Sequence, residues 1–149
     1  MDEMDLRILR ILQEDSSLSV SHVAQQVGLS ASPCWKRINR MQKEGVIKRQ
    51  SAILNAYRLG LGLIVFVSVK TGEHSTGWLA EFSKTVIAMP EVMEFHRMAG
   101  EVDYMLKVIV SDMEAFDEFY KRLIGTTALS DVTSRFSMET IKETTALPI

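Results

Sequence analysis

Residues 30–45 read SASPCWKRINRMQKEG, and this stretch decides how the N-terminal part of the chain folds. Three apolar residues recur at the spacing i, i+4, i+7 and so share one face of a helix: Cys34, Ile38 and Met41. Three basic residues repeat that spacing on another face, beside Arg37: Lys36, Arg40 and Lys43. Ser32 suits the N-cap, Pro33 the first helical position and Gly45 the C′ position. The stretch predicts a short helix with one apolar and one cationic face, the form that enters a DNA major groove.

Two shorter amphipathic patterns precede this helix. The first runs from about Asp2 to Asp15, and its apolar face is built from Ile8, Leu9, Ile11 and Leu12. The second follows Ser19, which is a favourable N-cap, and ends at Gly28. Two short helices joined by a tight glycine-containing turn, the second of them basic, form a helix-turn-helix.

The charge of the chain is distributed unevenly. Residues 1–50 contain eight Lys and Arg against six Asp and Glu, whereas residues 51–149 contain nine against thirteen. Residues 46–54 favour an extended wing, with Lys48 and Arg49 at its tip. This asymmetry indicates one part that faces nucleic acid and one that does not, although a solvated basic helix face would give the same pattern.

From residue 63 the pattern changes from helical to largely extended. Residues 63–69 (LIVFVSV) form a continuous apolar run that predicts a strand buried on both faces. The later predicted elements are a helix from about Trp78 to Val86, strands over 91–99 and 102–110, a helix after Asp112, and a last strand over 131–142. Loops are expected at 71–75 and 125–130. The order β-α-β-β-α-β is that of a ferredoxin-like domain.

The chain is therefore expected to be an α+β protein of two domains. A winged helix-turn-helix occupies residues 1–54, residues 55–62 form a linker, and an αβ domain that binds a ligand and oligomerises occupies residues 63–149. Both helices of a ferredoxin-like domain cover one face of its sheet. Because residues 63–69 are apolar on both sides, we expect a second subunit to cover the other face, although a monomer with some apolar surface is the alternative.

Composition excludes several classes of protein. One cysteine cannot form an internal disulfide, no apolar run is long enough to span a membrane, and the charged N-terminus is not a secretory signal, so a cytoplasmic protein is expected. No phosphate-binding glycine motif occurs. The three histidines lack metal-ligand spacing: His22, His74 and His96. Glu101 and Asp103 could serve acid–base chemistry, but no nucleophile or second polar cluster accompanies them. We expect neither an enzyme nor a cofactor.

Together these residues resemble the Lrp/AsnC (feast/famine) family of bacterial transcriptional regulators. The matching motifs are Asp5-x-x-Ile8-Leu9, Val27-Gly28-Leu29-Ser30, Ser32-Pro33-Cys34 with Arg37 and Arg40, Gly45-Val46-Ile47, and Gly100-Glu101-x-Asp103-Tyr104. Residues 33–37, 129–134 and 144–149 are most similar to the proteobacterial branch whose members sense cysteine. The resemblance implies a winged helix-turn-helix joined to an effector-binding (RAM) domain, homodimers that assemble further to octamers, and an association with the nucleoid.

Double-stranded operator DNA is the first expected partner. Arginine can fork to guanine or clamp phosphate, lysine acts as a point charge on the backbone, and serines at a helix N-terminus can bond to phosphate. The candidate DNA-binding residues are Ser30, Ala31, Ser32, Pro33, Lys36, Arg37, Arg40, Lys43, Lys48 and Arg49. Trp35 either packs against the first helix or stacks near the sugar-phosphate backbone, and Cys34 is expected to be a buried apolar residue rather than a redox switch.

An amino-acid effector is the second expected partner. Its site needs an acceptor for the ammonium group and N–H donors for the carboxylate, and the turn around Gly100 offers both, with Asp103 as the acceptor. Ordinary hairpin chemistry is the alternative. Because family members place the pocket between subunits, the last strand is expected to supply a wall. The candidate effector-binding residues are Met98, Gly100, Glu101, Val102, Asp103, Tyr104, Ser134, Arg135 and Phe136.

Two other functions stay open at this point. One is an amino-acid-binding oligomer that acts mainly as a global DNA-organising protein. The other is a ligand sensor without specific DNA binding, against which the basic helix argues.

Overall fold

The computed structural model describes residues 1–73, 75–125 and 129–149. Two compact units are present. The first consists of Met1–Ile53 and Ile141–Ile149, and the second of Leu54–Thr140. The division differs from the expected one at the C-terminus, since the last nine residues group with the first unit rather than with the αβ domain. Parts of the two predicted loops, His74 and residues 126–128, lie outside the described residues.

Three helices build the first unit: α1 (Glu3–Glu14), α2 (Val20–Val27) and α3 (Ala31–Lys43). Helix α1 begins with a capping box, in which the carboxylates of Asp2 and Asp5 each accept the backbone N–H of the other at 2.9 Å. Ser19 caps α2, and Gly28 ends it with a φ of 77°, as predicted. The helix-turn-helix is thus confirmed.

Helix α3 begins two residues earlier than predicted. Its N-cap is Ser30, so Ser32 and Pro33 lie inside the first turn, where proline is tolerated because the first N–H groups have no partner within the helix. The predicted C-terminus is correct, since Gly45 adopts a φ of 74°. The apolar face is buried as predicted, and the core of the unit consists of Ile8, Val23, Ala24, Val27, Cys34, Ile38 and Met41.

The segment expected to form an extended wing, residues 46–54, is irregular. Residues 48–55 form neither helix nor strand, and Lys48 and Arg49 are exposed. Ile47 packs against the core and donates its N–H to the carbonyl of Met41 at 3.1 Å. This bond caps the C-terminal end of α3 and fixes where the chain leaves the helix.

The predicted linker is ordered and groups with the second unit. Tyr57–Leu59 form a 3₁₀ helix, and the side chain of Asn55 accepts the N–H of Arg58 at 3.0 Å. Tyr57 and Leu59 are exposed. Apolar residues at the surface of this segment contribute to the expectation of a second subunit.

The second unit has the predicted β-α-β-β-α-β order. Its elements are β1 (Leu63–Lys70), α4 (Thr76–Ile87), β2 (Val92–Arg97), β3 (Tyr104–Val110), α5 (Met113–Ile124) and β4 (Asp131–Phe136). The sheet is antiparallel with the order β2-β3-β1-β4, so β1 and β3 are central and β2 and β4 are edges. Strand β4 ends six residues before the predicted Lys142.

Only one face of this sheet is covered by helices; the other is called the open face below. Residues of β1 and β3 that face the helices are fully buried: Val65, Val67, Val69, Tyr104, Leu106, Val108 and Val110. They pack against Phe82 and Val86 of α4 and against Phe116, Phe119 and Leu123 of α5. On the other face Phe66 is 41% exposed in the single chain, and this is the face that a second subunit is expected to cover. Among the described residues no helix could cross a membrane.

Candidate DNA interface and effector site

The first turn and the basic face of α3 are exposed. Four candidate residues lie there in sequence, with their side chains at the surface: Ser30, Ala31, Ser32 and Pro33. The side chain of Ser30 forms no capping hydrogen bond. Lys36, Arg40 and Lys43 are also exposed. This surface therefore combines free N–H groups, a free hydroxyl and positive charge, which are the groups that bind phosphate.

Arg37 and Arg40 have partners within the unit. The Nη1 of Arg37 lies 2.7 Å from a carboxylate oxygen of Asp2 and 2.8 Å from one of Asp5, and the Nη2 of Arg40 lies 2.5 Å from Asp5. The side chain of Asp5 is fully buried, while those of Arg37 and Arg40 are 28% and 46% exposed. The guanidinium of Arg37, which was expected to fork to guanine or clamp phosphate, is thus already paired with two carboxylates. Its guanidinium joins α1 to α3, because the buried carboxylate requires a counter-ion.

Both carboxylates have lowered pKa values. A hydrogen bond from Arg37, followed by the backbone N–H of Asp5, lowers the pKa of Asp2 to about 2. Burial acts to raise the pKa of Asp5, but the backbone N–H of Asp2, the hydrogen bond from Arg37 and the charge of Arg40 together outweigh it and lower that pKa. Asp5 is therefore ionised in the folded protein at neutral pH.

The two other residues singled out on α3 have different environments. Cys34 is fully buried, and burial raises the pKa of its thiol, which is an unreactive state, as expected. Trp35 is 56% exposed and is not part of the core of the first unit. Its ring lines an open cavity of about 230 Å³ with Leu12, Leu18, Asn39 and Gln50.

The turn between β2 and β3 brings several candidate effector residues together. Met98 donates its N–H to the carbonyl of Asp103 at 2.8 Å, which closes the turn. Gly100 inside it has a φ of 122°, a conformation that side chains other than glycine rarely adopt. Glu101 is exposed, and Val102 and Asp103 are half-buried. The predicted role of Gly100 in shaping the turn agrees with this geometry.

Asp103 also has a structural partner that the sequence did not indicate. Its backbone N–H donates to the carbonyl of Val69 at 3.0 Å, and its Oδ2 accepts the N–H of Thr71 at 2.8 Å. The carboxylate thus fastens the turn to the end of β1. Its second oxygen can still accept a hydrogen bond from a ligand.

Tyr104 lies in the core rather than at the surface. It is 3% exposed, and its ring centroid lies 6.1 Å from that of Trp78, 5.4 Å from that of Phe82 and 5.7 Å from that of Phe95. The indole Nε1 of Trp78 is buried and has no hydrogen-bond partner among the described residues. Tyr104 therefore supports the turn from beneath. Sequence reasoning missed Thr71 and placed Trp78 only on a predicted helix.

The expected wall on β4 is split between the two faces of the sheet. Arg135 lies on the open face and donates to the Oγ of Ser68 at 2.8 Å. Ser134 and Phe136 lie on the helix side, where with Tyr120 they line an open, largely apolar cavity of about 300 Å³. Neighbouring residues of a strand point to opposite faces, so three consecutive side chains cannot form one wall.

These residues lie at different distances from the turn within one chain. Asp103 is bonded to Val69, whereas Ser134 pairs with Val67 and Phe136 with Val65. Along β1, Ser134 is therefore two positions and Phe136 four positions from Val69, roughly 7 and 13 Å, whereas Arg135 reaches Ser68, the neighbour of Val69. Within one chain Phe136 is the most distant of the three from the turn. No cluster of three potential metal ligands occurs among the described residues.

Comparisons with known proteins match both units. The winged helix-turn-helix DNA-binding family matches residues 1–48, and the Lrp/AsnC ligand binding domain matches residues 64–147. The DNA-binding transcriptional activator DecR of Escherichia coli (strain K12) is 48% identical over 150 residues, covering 100% of this chain and 99% of that protein.

Two solved structures are similar over nearly the whole chain. An AsnC family transcriptional regulator from Agrobacterium tumefaciens has a TM-score of 0.97 and 52% identity, covering 99% of this chain and 97% of that chain. A transcriptional regulator from Neisseria meningitidis, described as a complex with L-Met, has a TM-score of 0.94 and 32% identity, covering 99% and 96%.

The carboxylate of Asp5 should stabilise the first unit. We expect Asp5→Ala to lower the free energy of unfolding of this unit by about 2–3 kcal/mol, because it removes half of the capping box and leaves Arg37 and Arg40 without their buried partner. Hydrogen exchange of the α1 and α3 amides reports this unit separately. Glu14→Ala, at an exposed position of the same helix, is the control and should change stability by less than about 0.5 kcal/mol.

The pH dependence follows from the lowered pKa of Asp5. Since the folded-state pKa lies below the unfolded value of about 3.9, the contribution is complete above about pH 5 and is lost as the pH falls through the folded-state pKa. The stability difference between wild type and Asp5→Ala should therefore shrink on acidification. A difference that stays constant down to pH 2 would contradict the assignment.

Proposed function

Because the chain belongs to the Lrp/AsnC family of transcriptional regulators, we propose that it binds promoter DNA through α3 and responds to a small amino acid. The family consists of DNA-binding regulators with a ligand-binding domain, not of enzymes. The observation that carries the proposal is the exposed, positively charged surface of α3 in a chain that also contains the effector domain. The protein would act on chromosomal DNA in the cytoplasm.

In the proposed complex the first turn of α3 lies against the DNA. Ser30 and Ser32 donate to phosphate, Ala31 and Pro33 contact base edges or sugars, and the lysines bind the backbone as point charges. Lysines and arginines outside the salt-bridge network supply the remaining positive charge: Lys36, Lys43, Lys48 and Arg49. Arg40 is exposed enough to contact phosphate as well, whereas Arg37 mainly positions the helix.

A homodimer would present two such helices. The open face of the sheet carries Ile64, Phe66 and Ile109, an apolar surface that a second copy of the sheet would cover. Two recognition helices related by a twofold axis imply half-sites roughly 34–36 Å apart, or a multiple of that distance. Further assembly to octamers, which the resemblance implies, would use other surfaces.

The proposed effector site is centred on the turn from Met98 to Asp103. Asp103 accepts the ammonium group of the amino acid with the oxygen that Thr71 leaves free, while backbone N–H groups near Gly100 bind the carboxylate. Because the resemblance places the pocket between subunits, the contribution of Ser134, Arg135 and Phe136 would come from a partner subunit. The L-Met complex of the Neisseria regulator and the resemblance to the cysteine-sensing branch make sulfur-containing amino acids the first candidates.

DNA binding should depend on salt through the lysines of α3. We expect Lys36→Ala and Lys43→Ala each to reduce the slope of log K against log salt by about 0.9, because each lysine releases about one counter-ion. Gel shifts with DNA from upstream of the gene across a salt series measure this slope. Lys84→Ala, on an exposed face of α4, should leave it unchanged. Absent binding, or a slope equal to wild type in both variants, would contradict the interface.

The two roles of Asp103 can be separated. Asp103→Asn keeps an acceptor for the N–H of Thr71 but removes the negative charge, whereas Asp103→Ala removes both. We expect both variants to bind the effector at least about tenfold more weakly, and only Asp103→Ala to loosen the turn. Calorimetry with the twenty amino acids measures binding, with Glu118→Gln as an exposed control. Wild-type affinity in Asp103→Asn would assign the carboxylate a structural role alone.

The open sheet face should control assembly. We expect Phe66→Asp to dissociate the dimer, because it places a charge inside an apolar interface. Lys107 and Arg135 lie opposite residue 66 on neighbouring strands, so the new carboxylate has partners in the monomer and the fold should be retained. Light scattering measures the mass, with Ile87→Asp on α4 as the control. A wild-type protein that is monomeric at micromolar concentration would refute the interface.

A further inference from the structure

We propose that the C-terminal segment, residues 141–149, is a peptide clasp on α1 and that its docking carries the effector response to the DNA-binding unit. The docking surface is formed by Arg10 and Gln13, and its occupant is the chain's own C-terminal segment. The proposal rests on the proposed function, because a response to an effector is what the clasp would transmit.

The docking surface recognises backbone rather than side chains. The amide of Gln13 donates from Nε2 to the carbonyl of Leu147 at 2.9 Å and accepts the N–H of Leu147 on Oε1 at 2.9 Å. Both polar backbone groups of one residue are thus bound by one side chain, as by a neighbouring β-strand. The Nε of Arg10 donates to the backbone O of Ile149 at 2.8 Å, and Oε1 of Glu3 accepts from Nη1 of the same guanidinium at 2.9 Å.

The clasp is weak enough to be reversible. Leu147 is 66% exposed, and Ile141 and Ile149 are also exposed, so little apolar surface is buried on docking. Exposed hydrogen bonds contribute modestly to stability, and ordering an extended segment opposes them. The docked and released states therefore differ little in free energy, which is the condition under which a small change elsewhere can shift their populations.

The segment is connected directly to the effector domain. Ser137 forms the last bond of the β4 edge, with its N–H donating to the carbonyl of Ile64 at 2.9 Å, and the clasp begins at Ile141. The first unit is consequently built from two pieces of chain, and the second unit is joined to it covalently at both of its ends. Only a few residues separate β4 from the clasp, so a displacement of β4 would change the strain on the clasp.

Helix α1 links the clasp to the recognition helix. Near its N-terminus, Asp2 and Asp5 hold Arg37 and Arg40 of α3, and on the same helix Arg10 and Gln13 hold the C-terminal segment. The docked C-terminal segment therefore contacts α1, the same helix that positions α3. A change at the clasp is transmitted through one rigid element rather than through a chain of side chains.

Two full-length variants test the clasp from its two sides. Gln13→Ala removes the docking amide from α1, and Leu147→Pro removes the N–H donor from the segment while leaving α1 unchanged. Gln25→Ala is the matched control, an exposed glutamine on α2 whose side chain forms no hydrogen bond within the described residues. In hydrogen exchange of the free protein, we expect the Leu147 amide to be protected in wild type and in Gln25→Ala. In Gln13→Ala, the amides of Leu147 and Ile149 should exchange at least about tenfold faster, and in Leu147→Pro that of Ile149 should do so.

The functional measurement is the ratio of DNA dissociation constants with and without each of the twenty amino acids. We expect a ratio different from one in wild type and in Gln25→Ala, and a ratio close to one in Gln13→Ala and Leu147→Pro. Calorimetry should show that both variants bind the same amino acid within about twofold of wild type without DNA, because coupling rather than the effector site is lost.

The outcomes separate this proposal from the proposed function. If an amino acid changes the DNA affinity of wild type, and changes that of both variants equally despite their faster exchange, the clasp alone is overturned. A segment that already exchanges at the rate of a free peptide in wild type would do the same. A wild-type ratio of one with every amino acid would refute the effector response, and the clasp with it.

Discussion

The first unit depends on one buried carboxylate. Asp5 is fully enclosed, and an isolated charge there would be strongly unfavourable, so the surrounding structure has to supply positive charge and hydrogen bonds. Arg37 and Arg40 from α3 and the backbone of Asp2 supply them. This pairing helps to fix the orientation of α3 on α1. Because Arg37 is used for it, the positive charge that we propose to face DNA lies mainly on residues outside the network, such as Lys36 and Lys43.

The second unit is governed by the alternation of side chains along its strands. The residues of β1 that face the helices close a core, while Phe66 on the opposite face stays exposed in the single chain. The same alternation separates Arg135 from Ser134 and Phe136, which the expected effector wall had grouped together. The turn at Gly100 instead gains Thr71, through the carboxylate of Asp103.

Several features followed from local patterns and were confirmed. The i, i+4, i+7 spacing of Cys34, Ile38 and Met41 determined which face of α3 is buried, because a helix has no other way to group those residues. Gly28 and Gly45 ended helices as expected, since both adopt positive φ. The start of α3 was predicted two residues late, because Ser30 and Ser32 are equally favourable N-caps and Pro33 is tolerated at several positions of a first turn.

The amino-acid sequence by itself thus determined the order of the elements, the two-domain plan, the basic helix and the family. Those features depend on the spacing of residues that are close in the chain, and local geometry is sufficient to interpret them. Tertiary structure alone decided that Asp5 is the partner of Arg37, that Asp103 holds Thr71, and that Gln13 holds Leu147. Each of these contacts joins residues more than thirty positions apart, and one polar side chain has many possible partners at that distance. Only the packing of whole elements brings the chosen pairs within hydrogen-bonding distance.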